Sequence, residues 1–144
     1  MTITSAICNS FKVEILKAVH NFTAGGANVF NLALYTSSAT LNKSTTAYIT
    51  TNEVATATGY TAKGKALTSV TPVLSSDTAV CDFANVSWTS ASFTSRGCLI
   101  FNDTATGDPA VCAIDFGGNK TVTSGTFTIE FPAASAGTAI IGIA

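Results

Sequence analysis

From about residue 28 onward, apolar and polar positions alternate with a period of two, the repeat of a β-strand. In NVFNLALYT (28–36), Phe30, Leu32 and Leu34 point one way while Val29, Ala33 and Tyr35 point the other. Both faces are semi-apolar, which predicts an inner strand. TTAYITT (45–51) is short, Thr-rich and β-branched and predicts a strand or sheet edge. Residues 53–66 contain Gly59 and Gly64 and predict a long loop with at most a short strand, and KALTSVTPV (65–73) alternates up to Pro72. In TAVCDFANVSW (78–88), Ala79, Cys81 and Phe83 share one face before the parity moves to Val86 and Trp88, which predicts a bulge or bend near Asn85. SRGCLIFN (95–102), the turn cluster NDTATGDP and AVCAIDF (110–116) predict an antiparallel hairpin. GGNK (117–120) reads as another turn. GTFTIEFP (125–132) places Phe127, Ile129 and Phe131 inward and Thr126, Thr128 and Glu130 outward, and TAIIGIA closes the chain.

One stretch departs from this period. In ICNSFKVEILKAVHNF (7–22), Phe11, Ile15, Val19 and Phe22 form one helical stripe, widened by Leu16. Asn9 or Ser10 is placed to cap its start, Glu14 lies in the early turns, and Ala24-Gly25-Gly26 ends it. The expectation is an amphipathic helix over about 8–21, roughly three turns long. The architecture expected for residues 1–144 is therefore a single all-β domain, a β-sandwich or jelly-roll-like barrel, with one N-terminal amphipathic α-helix. There is no internal repeat, and AASAG (133–137) is too short and too late to mark a domain boundary.

Composition changes this picture mainly at the surface. Charged residues are 10% of the chain against a usual share of about 25%, and Ser plus Thr make up roughly a quarter of it. Net charge is −1, and of the basic residues only Lys63 and Lys65 lie close together. Nucleic-acid binding needs a clustered basic patch, so it is not expected. The first residues have neither a basic n-region nor a continuous apolar core, and no run of about 20 apolar residues occurs, so neither export nor membrane insertion is expected. The expected place of synthesis is a cytoplasm, where the Asn-x-Ser/Thr matches at Asn21, Asn42, Asn85, Asn102 and Asn119 carry no meaning. Cys8, Cys81, Cys98 and Cys112 form no CxxC pair and are read as small reduced core residues.

Candidate chemistry is sparse. His20, the single histidine, sits at the edge of the helical stripe and is expected at the surface or near the helix C-terminus. Asp103 and Asp108 flank a turn whose composition superficially suggests a cation loop but lacks its ligand spacing. Asp82 and Asp115 lie inside strands, with Arg96 or a lysine as partners. GYTAKGK (59–65) has the glycines and lysines of a phosphate loop without its spacing. Trp88, Tyr35, Tyr48 and Tyr60 are more readily core residues than sugar-stacking platforms. No catalytic, cofactor-binding or metal-ligating residue is assigned, and no enzymatic activity is expected.

The phrases ITSAICNSFKVEIL, NVFNLALYTSSATLNKSTTAY, TNEV, GYTAKGKAL, VCDFANVSWTSASFTSRGCLIFND and AIDFGGNKTVTSGTFTIEFP resemble a family of small virion proteins of tailed bacteriophages. The resemblance runs along nearly the whole chain as short phrases rather than as a catalytic motif. It implies a virion structural protein assembled in the bacterial host cytoplasm, foremost a capsid decoration or cement protein that binds the head surface and stabilises the shell. The alternative it leaves open is a tail- or fibre-associated adaptor, with host-glycan binding among its roles. The implied partners are copies of the chain itself, foremost as a trimer, and the major capsid protein or other virion proteins. Contact residues expected from the N-terminal segment and the polar loops are Phe11, Ile15, Tyr48, Tyr60, Lys63 and Lys65. The helix then either caps the open end of the sandwich or reaches as an arm to a neighbouring subunit.

Overall fold

A computed structural model describes residues 1–56 and 59–144. Its elements are β1 (Ala6–Ile7), α1 (Asn9–Leu16), β2 (Phe30–Tyr35), β3 (Lys65–Ala66), β4 (Ser69–Ser75), β5 (Thr78–Phe83), β6 (Val86–Asn102), β7 (Ala110–Ile129) and β8 (Ile141–Ile143). They form two antiparallel sheets, one ordered β1-β7-β6-β2-β3 and the other β4-β5-β8. The fold is all-β and sandwich-like with one short helix near the N-terminus. The sheets meet through aromatic rings: Phe30 of β2 stacks on Phe22 at 4.3 Å, and Phe83 of β5 lies 6.0 Å from Phe30 and 6.2 Å from Phe22. No helix among the described residues is long and apolar enough to cross a membrane.

β2 is an inner strand, as its two apolar faces require, and every one of its residues is buried. The 95–102 and 110–116 segments pair as expected, from Gly97 opposite Asp115 to Phe101 opposite Ala110. Near Asn85 the chain leaves β5 and enters β6 in the other sheet, which explains the change of parity. The outward Thr126, Thr128 and Glu130 are exposed, while Phe127, Ile129 and Phe131 are half-buried against the core. The four cysteines are free, three of them buried.

Four expectations are corrected. The helix ends at Leu16 rather than near residue 21. Val19 N–H bonds Glu14 C=O at 3.1 Å and Ala18 N–H bonds Ile15 C=O at 3.2 Å, with Ala18 at φ 58°. This is a Schellman stop built on alanine instead of the glycine that usually signals it. Leu16 is consequently 87% exposed instead of widening the stripe, and Cys8, whose side chain makes no capping bond to the helix, occupies the N-cap. Residues 45–51 form no strand; Ala47 makes a single bridge to Pro109 before a turn at 50–53. Residues 65–73 are split between sheets, β3 pairing with β2 and β4 with β5. Finally, 117–120 does not end a strand. It lies in a bulge of β7, where Asp115 to Lys120 opposes only Gly97 to Ser95, and Gly117 takes φ 79° there.

Candidate interaction surface

β6 and β7 are much longer than their neighbours, and this length creates the most distinctive surface of the molecule. β2 pairs with β6 only over residues 97–102, and β1 pairs with β7 only at Cys112 and Ala113. The remaining hairpin, residues 86–95 with 120–129, has no further strand beside it among the described residues. One face carries hydroxyls in cross-strand register. Ser87 meets Thr128 at 2.8 Å, Thr94 meets Thr121 at 2.9 Å, and Ser124 N–H bonds Ser92 Oγ at 2.8 Å. Paired side chains of this kind stabilise a sheet without adding charge. The opposite face carries Trp88 against Phe127 and Phe93 against Phe127. Beside it runs an apolar groove of about 590 Å³, lined chiefly by Ile114, Phe116, Phe127, Ile129, Phe131 and Ile140. The outer edge of β7 therefore has backbone donors and acceptors unpaired with any strand, next to an apolar trough. Such an edge is a template for pairing with another chain.

The smaller sheet adds exposed apolar residues. Val73 and Leu74 of β4 and Ile143 of β8 are exposed, Leu74 by 72%. β4 is an edge strand, and its Pro72 withholds one N–H from that edge.

The expected contact residues fall into two groups. Tyr48, Tyr60 and Lys63 converge on Glu53. Its carboxylate accepts Tyr48 Oη–H at 2.5 Å, Tyr60 Oη–H at 2.7 Å and the Lys63 backbone N–H at 2.7 Å. Tyr60 Oη in turn accepts the Leu34 N–H of β2 at 2.9 Å. The Lys63 ammonium bonds Asp103 and Asp108 at 2.8 Å each, so the two turn carboxylates that superficially suggested a cation loop share a lysine instead. Burial first, and then the Glu53 carboxylate, pushes the Tyr48 hydroxyl up to about 12, so it stays a neutral donor. The two aspartates hold the Lys63 ammonium above its ordinary range. The cluster's physical effect is to hold Tyr48, Glu53, Tyr60 and Lys63 together against the sheet. Tyr60 is 2% exposed and is a core residue, so it does not offer the contact surface expected of it. Lys65, exposed, lies over the Trp88 ring at 5.8 Å and also bonds Ser87 C=O.

Phe11 and Ile15 belong to the second group. Phe11 is buried 5.9 Å from Phe22, which places it in the core rather than on an arm, while Ile15 is half-buried. α1 packs on β7 of its own chain. Here His20 is corrected too: it lies beyond the helix, buried at 5% exposure, between Glu14 and Asn102. Trp88 and Tyr35 are fully buried, as a core reading of the aromatics requires. The Asp115–Arg96 pair forms at 2.8 Å, whereas Asp82 accepts the N–H of its neighbour Phe83. Glu53 is the functional-looking residue the sequence conceals: nothing in TNEV marks it, because Tyr48, Tyr60 and Lys63 lie within ten residues of it but at no helix or strand spacing.

No protein-family model matches the chain, and no curated protein or solved structure is significantly similar to it.

Proposed function

We propose that this protein is a structural component of a bacteriophage virion, foremost a decoration protein that binds the head surface as an oligomer, with a trimer as the first expectation. The observation that carries the reading is the outer half of the β6–β7 hairpin: a neutral hydroxyl face, an open β7 edge and an apolar groove in one place. Such a surface gains by being covered with protein, through strand pairing and apolar burial at several contacts. A surface of low charge adds little repulsion between copies packed side by side. The resemblance to small virion proteins points the same way. The core positions of Trp88 and Tyr60 make them poor sugar-stacking platforms and weigh against the glycan-binding adaptor.

Cryo-electron microscopy of purified virions tests the proposal. Density for this fold on the capsid exterior, with the outer edge of β7 at a contact, is the expected result. Copies confined to the tail, or none on the particle, would overturn it.

A further inference from the structure

The single histidine lies where a proton has no acceptable place. His20 Nε2–H donates to Glu14 Oε1 of α1 at 3.3 Å, and His20 Nδ1 faces the Asn102 Nδ2 amide at the end of β6, 3.2 Å away. The orientation of that amide is fixed by its other end. Asn102 Oδ1 accepts the N–H groups of Thr104 and Ala105, both at 3.1 Å, while Nδ2 also donates to Asn28 Oδ1 at 3.2 Å. Asn102 therefore cannot turn its oxygen toward the imidazole without breaking the turn after β6. The ring is neutral, with Nδ1 as acceptor, and protonation would set two donors against each other inside a buried cluster.

The segment carrying His20 is tied down at both ends and lightly held between them. Asn9 N–H bonds Lys43 C=O at 2.7 Å, and Val29 N–H bonds Thr104 Oγ1 at 2.8 Å. In between, α1 has eight residues and no side-chain N-cap, too short to persist alone. Its docking rests on Phe11, Phe22 and His20 packed on one another and on Phe30. Besides the histidine, the Ala24 N–H bond to Thr71 Oγ1 at 3.0 Å ties the segment to the smaller sheet.

We propose that His20 is an acid-sensitive latch: protonation of Nδ1 breaks its contact with Asn102 and frees the segment 10–28 from the sheets while the two sheets stay folded. Opening uncovers Phe11, Phe22 and Phe30. The groups facing the imidazole are few. α1 contributes Glu14, and β5 contributes the Cys81 thiol across an adjoining cavity of about 440 Å³. β2 and β6 contribute Phe30 and Asn102, neither of which titrates. Burial is the largest influence on the ring and lowers its proton affinity below the ordinary value of 6.5, against an upward pull from Glu14. The unfolded or opened segment therefore binds a proton more readily than the closed one. Closure is complete above about pH 6.5 and weakens as pH falls through the lower value of the closed state.

Hydrogen exchange of the full-length protein at pH 7.5 and pH 5, corrected for intrinsic rates, reads the latch directly. Protection across 10–28 is expected to fall at least tenfold at pH 5, while that of β2 and of residues 97–102 is unchanged, and binding of an apolar dye rises in parallel. His20→Gln, which cannot be charged, is expected to show the same protection at both pH values. Equal pH response in the wild type and the variant would overturn the proposal, as would a wild-type segment whose protection ignores pH. Should the variant fail to fold, the chain's only imidazole still reports by nuclear magnetic resonance. A neutral ring protonated on Nε2 at pH 7, titrating below 6.5, is expected; titration at or above 6.5 sinks the latch.

Discussion

The two halves of the β6–β7 hairpin are one pair of strands under two sets of conditions. Over residues 97–102 and 110–113 the strands have neighbours on both sides, β2 and β1, and nearly every side chain is buried. The sequence there reads as continuous apolar runs, CLIF and AVCA. Over residues 86–95 and 120–129 the neighbours are gone, one face is wet, and hydroxyls alternate with apolar residues. The same ladder thus supplies a rigid core at one end and, at the other, a surface of hydroxyls and apolar groups with few charges, Lys120 and Glu130 at the rim of the groove. Covering by neighbouring strands, rather than strand propensity, makes the difference.

The comparison can be broken at its inner end most easily. Leu99→Ala is expected to cost about 2–5 kcal/mol in denaturant unfolding, because a fully buried site cannot collapse around the void. Ile129→Ala at the outer end, half-buried, is expected to cost about 1 kcal/mol by the same measurement, since its surroundings are already partly hydrated. Equal losses would mean that the outer half is as tightly covered as the inner.

Gly64→Ala comes next. A Cβ there would sit 1.8 Å from Leu32 C=O, and the residue holds φ 66°. The loss should exceed the ~1–2 kcal/mol of a left-handed backbone alone, with β3 exchanging its amide protons faster because it peels from β2. Glu53→Gln leaves the Tyr48 and Tyr60 hydroxyls competing for one amide oxygen and sets an NH₂ among donors. A loss of about 1–3 kcal/mol is expected, with proteolysis rising around residues 48–64. The smallest effect should be a gain. Ala18→Gly relieves the αL strain at the helix stop, offset by the freedom glycine adds to the unfolded chain, for a net increase of about 0.5 kcal/mol by calorimetry.

Much of the fold was legible because burial writes itself into periodicity. The inner strand β2, the 95–116 hairpin, the break near Asn85 and the inward Phe127–Ile129–Phe131 set all follow from which positions are apolar. What was not legible depends on backbone conformation and on contacts that leave no periodic pattern. Ala18 stops the helix without a glycine, so the apolar stripe ran on in the sequence after the backbone had turned. Thr-rich 45–51 has the composition of a strand, yet its neighbours leave it one bridge. The glycines at 117 and 118 mark irregularity correctly but sit in a bulge that the long ladder spans. For the candidate surface, hydroxyl abundance was visible, whereas the open β7 edge and the groove required knowing how short β1 and β2 are. The sequence marks Tyr48, Tyr60 and Lys63 as contact residues; their convergence on Glu53 and the burial of Tyr60 follow from how the loop folds back against β2.

Ala6 and Ile7 pair with Ala113 and Cys112, and α1 packs on the same strand. A ribosome delivers the N-terminus first, at about 5–20 residues per second, so these residues wait through the translation of most of the chain before their partner emerges. Until then Phe11 and Phe22 lack the sheet they pack on, so the sequence-distant β1–β7 pairing leaves apolar rings unsheltered through much of synthesis.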